Sequence, residues 1–228
     1  MPLFKDMNVI YIHITKTAGS SIETALGMDP EKVEYEYNKQ YLTHYFWHEG
    51  VRLNEVQHYT INEYINKGLI DCDMARDCFK FTFVRNPFDR VVSEWKYQKK
   101  MFNTLGWFNY KKNVLRIGSF TSYVDNLWFL YKKGRLNNKA HDREQYVYVY
   151  DDDGNYLVDF VGRFEDLSSG WDYVKEKTGV KIDLPLKNVG DGRPYWDYYN
   201  KRTEKIISIV YQRDLSAFGY KFKFQTES

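Results

Sequence analysis

The run Thr15-Lys16-Thr17-Ala18-Gly19-Ser20-Ser21 gathers a cation, a glycine and several hydroxyls. It follows the apolar stretch Val9 to Ile14 and precedes Ile22-Glu23-Thr24-Ala25-Leu26, which reads as helix. A loop between a buried strand and a helix N-terminus aims several backbone N–H groups at one point, where the helix dipole also favours negative charge. Gly19 permits close approach, Thr17, Ser20 and Ser21 offer hydroxyl donors, and Lys16 supplies a full positive charge. The chemistry that suits this set is the gripping of a phosphate-like anion. It is not a Gly-x-x-x-x-Gly-Lys-[Ser/Thr] loop, because the lysine comes before the glycine. An ordinary serine-capped turn would have the same composition.

A second set lies in Phe83-Val84-Arg85-Asn86-Pro87-Phe88-Asp89-Arg90-Val91-Val92-Ser93-Glu94-Trp95. Arg85 ends a strand, and Ser93 falls about two helical turns later. Ligands of open α/β sheets bind beyond the carboxyl ends of the strands, so Arg85 and Ser93 could hold a second anionic group. The alternatives are an ion pair between Arg85 and Asp89 and a solvent-facing Ser93. Five histidines could serve as bases: His13, His44, His48, His58 and His141. His13 lies within a strand and reads as a packing residue. His44-x-x-x-His48 has the spacing of one helix face but lacks the glutamate of a zinc-protease helix. Asp151-Asp152-Asp153-Gly154-Asn155 reads as a solvated turn and not as a metal loop. No metal is expected.

The elements that must position these residues alternate. Strands are expected at 9–14 and 78–84. A helix opens at Pro87, with Asn86 as its cap and Asp89 in its first turn, and runs towards Lys100. Further helices are expected at 119–133, at 171–177 closing at Gly179, and as one piece at 203–218 ending near Gly219. Tyr146 to Tyr150 and Tyr156 to Val161 read as the two arms of a hairpin. Alternating strands and helices imply an α/β fold with a mainly parallel central sheet flanked by helices.

A chain of 228 residues without repeats or linkers reads as a single domain, 1–228. Thirty-three basic residues against 31 acidic ones leave a formal charge of +2, which argues against a bulk polyanion partner such as nucleic acid. Twenty-one tyrosines, 15 phenylalanines and six tryptophans give ample core material, so the mean hydropathy of −0.65 describes a wet surface and not disorder. No apolar run is long enough to span a bilayer. Cys72 and Cys78 are too few for a disulfide scaffold and read as reduced thiols, in keeping with a cytoplasmic location.

Ile12 to Ser21, followed by Phe83 to Ser93, resembles the two cofactor motifs of the PAPS-dependent sulfotransferases, the carbohydrate (Golgi-type) branch most closely. His141 to Gln145, Asp159 to Leu167 and Asp214 to Tyr220 are similar to later segments of that branch. The resemblance implies a P-loop-like, three-layer fold. It implies that Lys16, Thr17, Ala18, Gly19, Ser20 and Ser21 grip the 5′-phosphosulfate of 3′-phosphoadenosine 5′-phosphosulfate (PAPS), and that Arg85 and Ser93 clamp its 3′-phosphate. His58, in His58-Tyr59-Thr60-Ile61-Asn62-Glu63-Tyr64, matches the histidine segment that supplies the general base in several members, although a helix-capping histidine would look alike. His141 and Arg143 resemble an acceptor-side pair, and Arg193, in the loop from Leu186 to Trp196, matches a further 3′-phosphate contact. The expected reaction moves a sulfuryl group to a hydroxyl, on a carbohydrate, releasing 3′,5′-adenosine bisphosphate. The aromatic runs Tyr35 to Trp47 and Met101 to Tyr110 would line an acceptor cleft or pack on the sheet. Rival readings are a P-loop-like kinase using ATP and Mg²⁺, and a nucleotide-binding module without turnover.

Overall fold

Val9-Ile10-Tyr11-Ile12 shows no polar alternation, which is the pattern of a strand covered on both faces. It forms a strand in which no residue exceeds 1% exposure. The structure, a computed structural model, describes residues 3–28, 45–48, 51–54, 56–104, 116–185 and 192–223, with backbone alone at 45–48, 51–54 and 102–104. Its strands are β1 (Leu3–Phe4), β2 (Val9–Ile12), β3 (Tyr45–His48), β4 (Val51–Asn54), β5 (Phe79–Val84) and β6 (Phe160–Arg163). Its longer helices are α1 (Gly19–Ala25), α2 (Ile61–Asn66), α3 (Cys72–Asp77), α4 (Pro87–Thr104), α5 (Phe120–Lys132), α6 (Leu167–Thr178), α7 (Lys201–Val210) and α8 (Gln212–Phe218). These form two compact units, Met1–Val84 with Val147–Asn188, and Arg85–Tyr146 with Val189–Ser228.

The first unit holds a four-stranded sheet in the order β1-β2-β5-β6. β1 is antiparallel to β2, while β2, β5 and β6 are parallel, with Ile12 opposite Thr82 and Phe83 opposite Gly162. Ile22 and Ala25 of α1 and Trp171 and Val174 of α6 share one core with Tyr11, Phe81 and Phe83 of the sheet. This is the expected α/β architecture, a mainly parallel sheet flanked by helices. Two glycines make the close contact between β6 and α6 possible. A Cβ on Gly162 or Gly170 would come within 2.3 or 2.6 Å of the Phe83 ring.

The second unit is helical. Asn86 caps α4 as its sequence promised, its side-chain oxygen accepting the Phe88 N–H at 3.1 Å. Ser119 caps α5 in the same way through the Ser122 N–H. Phe88, Val92 and Trp95 of α4 pack with Phe120, Val124 and Leu127 of α5 and with Ile207 and Val210 of α7.

Three expectations fail, each for a local reason. The first arm of the expected hairpin is a single helical turn, Tyr146–Val149. The buried Asp214 carboxylate accepts the Gln145 and Tyr146 N–H groups at 3.0 and 2.8 Å, which fixes the start of that turn. What remains of the hairpin is one bridge, Tyr150 to Tyr156, around a turn in which Asp151 accepts the Asp153 and Asn155 N–H groups. The expected C-terminal helix is two, broken at Tyr211, whose hydroxyl donates to the Asp142 carbonyl at 2.9 Å. Tyr45–His48 is a strand paired with β4, so His48 does not lie on a helix face; His44 falls outside the described residues.

Burial pushes the Asp214 carboxyl up to about 6, against the opposing pull of Arg90. A carboxyl with a raised folded pKa stabilises the fold fully below its unfolded pKa near 4, and that contribution disappears as pH rises through 6. This group alone is therefore expected to lower stability by up to about 3 kcal/mol between pH 4 and 6. Asp214→Ala should abolish that slope while stranding buried donors, at roughly 1–3 kcal/mol each. Urea melts across that pH range check both effects.

Candidate functional site

The loop after β2 is built on two left-handed residues that are not glycine, Lys16 (φ 66°) and Ala18 (φ 72°). Such backbone costs on the order of 1–3 kcal/mol per residue and persists only where the surroundings enforce it. Alternating hand turns successive N–H groups towards one side, the arrangement of an anion nest. Ala18 is also the residue from which α1 starts, and its carbonyl accepts the Ser21 and Ile22 N–H groups. Lys16 is half-buried and Ser20 exposed. Thr17 corrects the expectation placed on its hydroxyl: the side chain is fully buried and donates to the Ile14 carbonyl at 2.9 Å. Its backbone, not its hydroxyl, is what it brings to the loop.

Gly19 has a packing reason as well. A Cβ there would lie 1.8 Å from His13 Nε2, so the glycine makes room for an imidazole beneath the loop. His13 is held on its other side by Glu23 of α1, Nδ1 to Oε1 at 2.6 Å, with both side chains nearly buried. Gly19→Ala must push the ring off Glu23. It is expected to cost about 2–4 kcal/mol, the sum of an overpacked core and a weakened charge-assisted hydrogen bond, and a urea melt measures it.

His58 belongs to the same cluster. It ends a short 3₁₀ turn, Val56–His58, ahead of α2, which Thr60 and Glu63 close with a reciprocal capping box. His58 Nδ1–H donates to the His13 carbonyl at 3.0 Å, and Nε2 accepts from the Gln57 amide at 3.0 Å. That pattern makes Nε2 the basic nitrogen. The His13 and His58 rings meet edge to face at 4.5 Å. The Tyr64 hydroxyl donates to the Val56 carbonyl. Burial first and the Glu23 charge second hold the Tyr11 phenol well above its usual range. Burial does the same to Tyr64, with Tyr59, Glu23 and Glu63 adding to it. Glu23 is thus the negative charge common to these buried groups. The helix-capping alternative for His58 fails, because Thr60 is the cap.

The remaining candidates lie in the second unit. Arg85 follows the last residue of β5, and its guanidinium meets the Asp89 carboxylate twice, at 2.9 and 2.8 Å, which is the ion pair left open by the sequence. Its backbone N–H and carbonyl both pair with the Gln145 side-chain amide at 2.8 Å, and Gln145 is in turn held by Asp214. Ser93 is half-buried, one turn beyond Asp89 on α4. His141 Nδ1 pairs with the buried Glu94 carboxylate at 2.9 Å, and its ring stacks on Tyr97. Arg143 donates from Nε to the Asn137 carbonyl, while its own carbonyl accepts from the buried Arg90. Arg193 pairs with Asp197 and lies over the Tyr198 ring, 4.5 Å from its centroid. The loop residues 186–191 before it fall outside the described residues, as do residues 35–44 and 105–110 of the two aromatic runs.

The model of the sulfotransferase family matches residues 3–221, nearly the whole chain and both units. The chain belongs to the sulfotransferase family. Comparison with curated proteins and with solved structures gave no match. In this sulfotransferase the four-stranded, mostly parallel sheet is the core of the α/β fold. Among the described residues no helix is long and apolar enough to cross a membrane, and no group of three or more His, Cys, Asp or Glu could hold a metal ion. Cys72 and Cys78 are unbridged.

Sequence reasoning missed Glu23 as the partner of His13, and it missed Gln145 and Asp214. The last two stood inside segments that resembled the family, but nothing in their residue types announced that they would pin the chain at Arg85.

Proposed function

We propose that this sulfotransferase moves the sulfuryl group of PAPS to a hydroxyl of a carbohydrate. The observation that carries this reading is the nest formed by Lys16 and Ala18 with His58 bound, through His13, to its underside. Lys16 and the N–H groups leading into α1 stabilise the charge that gathers on the departing 5′-phosphate. His58 Nε2 takes the proton of the attacking hydroxyl. A sulfuryl group carries less charge than a phosphoryl group, so lysine, arginine and backbone donors can manage it without Mg²⁺. Arg85 and Ser93 hold the 3′-phosphate, with Arg193 as a further cation, and His141 and Arg143 meet the acceptor. β2 and β5 are parallel neighbours, so the strands that lead into the two motifs end side by side.

Binding and turnover test this separately. At a hundredfold excess over Kd, 3′,5′-adenosine bisphosphate is expected to stabilise the protein by about 2.7 kcal/mol. Arg85→Ala should raise that Kd by roughly tenfold to a hundredfold, the worth of a charge-assisted hydrogen bond. Transfer of ³⁵S from PAPS, screened over glycans, phenols and lipids, should find a hydroxyl acceptor and should survive EDTA. Stabilisation without any transfer would leave a binding module. Phosphoryl transfer from ATP that EDTA abolishes would make it a kinase.

A further inference from the structure

We infer that Glu23 is the counter-charge of the base, acting through the His13 ring to support the imidazolium that His58 becomes during turnover. This rests on the sulfuryl-transfer reading of the site. When the acceptor oxygen bonds to sulfur, the bond from sulfur to the 5′-phosphate oxygen breaks, the electron pair leaves with the phosphate, and the hydroxyl proton passes to His58 Nε2. A cation then exists on a side chain only 5% exposed. A charge in such surroundings is unfavourable unless an opposite charge answers it. The His58 Nδ1–H meets a neutral carbonyl, that of His13. One ring farther on stands the Glu23 carboxylate, 2.6 Å from His13 Nδ1, with the two imidazole rings 4.5 Å apart.

Among the described residues, other titratable groups also stand near this cluster. Tyr11 from β2 and Tyr64 from α2 are phenols held neutral by burial. Glu63 is bound at 2.7 Å to the Thr60 N–H of its own capping box, and Tyr59 is a further phenol beside Tyr64. Lys16, in the loop above, carries the wrong sign. Glu23 is a positioning residue, joined to the base by His13, whose ring it holds and whose carbonyl accepts the His58 N–H. The short bond to Glu23 keeps the His13 proton on Nδ1 and leaves the carboxylate's field for His58.

Histidine ¹⁵N spectra read this without turnover. The His58 ring, assigned by its loss in His58→Asn, is followed with pH in the wild type, Glu23→Gln and Glu23→Asp. In Glu23→Gln the His58 midpoint is expected to fall by about one pH unit, a tenfold weaker hold on its proton. Glu23→Asp, which keeps the charge, should stay near the wild type. The acid limb of the kcat profile should move down in Glu23→Gln by the same interval, which a merely structural lesion would not do. An unchanged His58 midpoint in Glu23→Gln overturns the inference. If that variant does not fold, the wild type decides. A His58 that charges while the His13 Nδ1–H stays bound supports the coupling, and one that remains neutral down to acid unfolding overturns it. A wild type that transfers no sulfuryl group would defeat the function proposed above, and the titration would still be readable.

Discussion

Lys16→Ala is expected to lower kcat by on the order of 10²–10³, the cost of losing one donor aimed at charge that develops in the transition state. The backbone nest stays in place when the ammonium goes, so affinity for 3′,5′-adenosine bisphosphate should change by less than roughly tenfold. That split between turnover and binding is the signature to look for. Lys16→Arg should not restore the rate, because a planar guanidinium on a longer stem cannot put a compact charge at the same point. A Lys16→Ala enzyme with more than a tenth of wild-type kcat would remove the lysine from the chemistry.

His58→Ala is expected to cost roughly 10²–10⁴ in kcat, the range for loss of a general base. The geometry favours this over a packing role: Nδ1–H is fixed on the His13 carbonyl, so the lone pair is fixed on Nε2, where Gln57 is the donor that a substrate hydroxyl would replace. The variant should still bind 3′,5′-adenosine bisphosphate and melt cooperatively, which separates lost catalysis from lost fold. Near-wild-type turnover would move the base to Glu23, Glu63 or His141. Of these, His141 has the arrangement that would suit it, an imidazole oriented by the buried Glu94 carboxylate.

Much of this was legible before any coordinates. The unbroken apolar run of β2, the Asn86-Pro87 start of α4 and Gly179 each announce an element by local physics, and each stands where it was expected. The parts that were not legible depend on partners distant in sequence. The turn at Tyr146 is helical because Asp214, 68 residues away, accepts its N–H. A Tyr-Val alternation cannot report that. The left-handed backbone at Lys16 and Ala18 gave no sign either, since neither is the residue type that favours it. In the site, residue types and spacing single out the Lys16 loop as a candidate, and His58 stands out only through its resemblance to the family's histidine segment. The orientation of Thr17 and the imidazole beside Gly19 are set by packing underneath.

The imidazole beneath the loop also constrains how this chain can diverge. Positions 13 and 19 divide one small volume between them, so a methyl group cannot appear at 19 until the residue at 13 shrinks, and an accepted change at 13 strands Glu23 at the same stroke. Three positions, one in the loop after β2 and two on α1, are thereby inherited as a unit. A relative that abandons one of them must have rebuilt the floor beneath this loop.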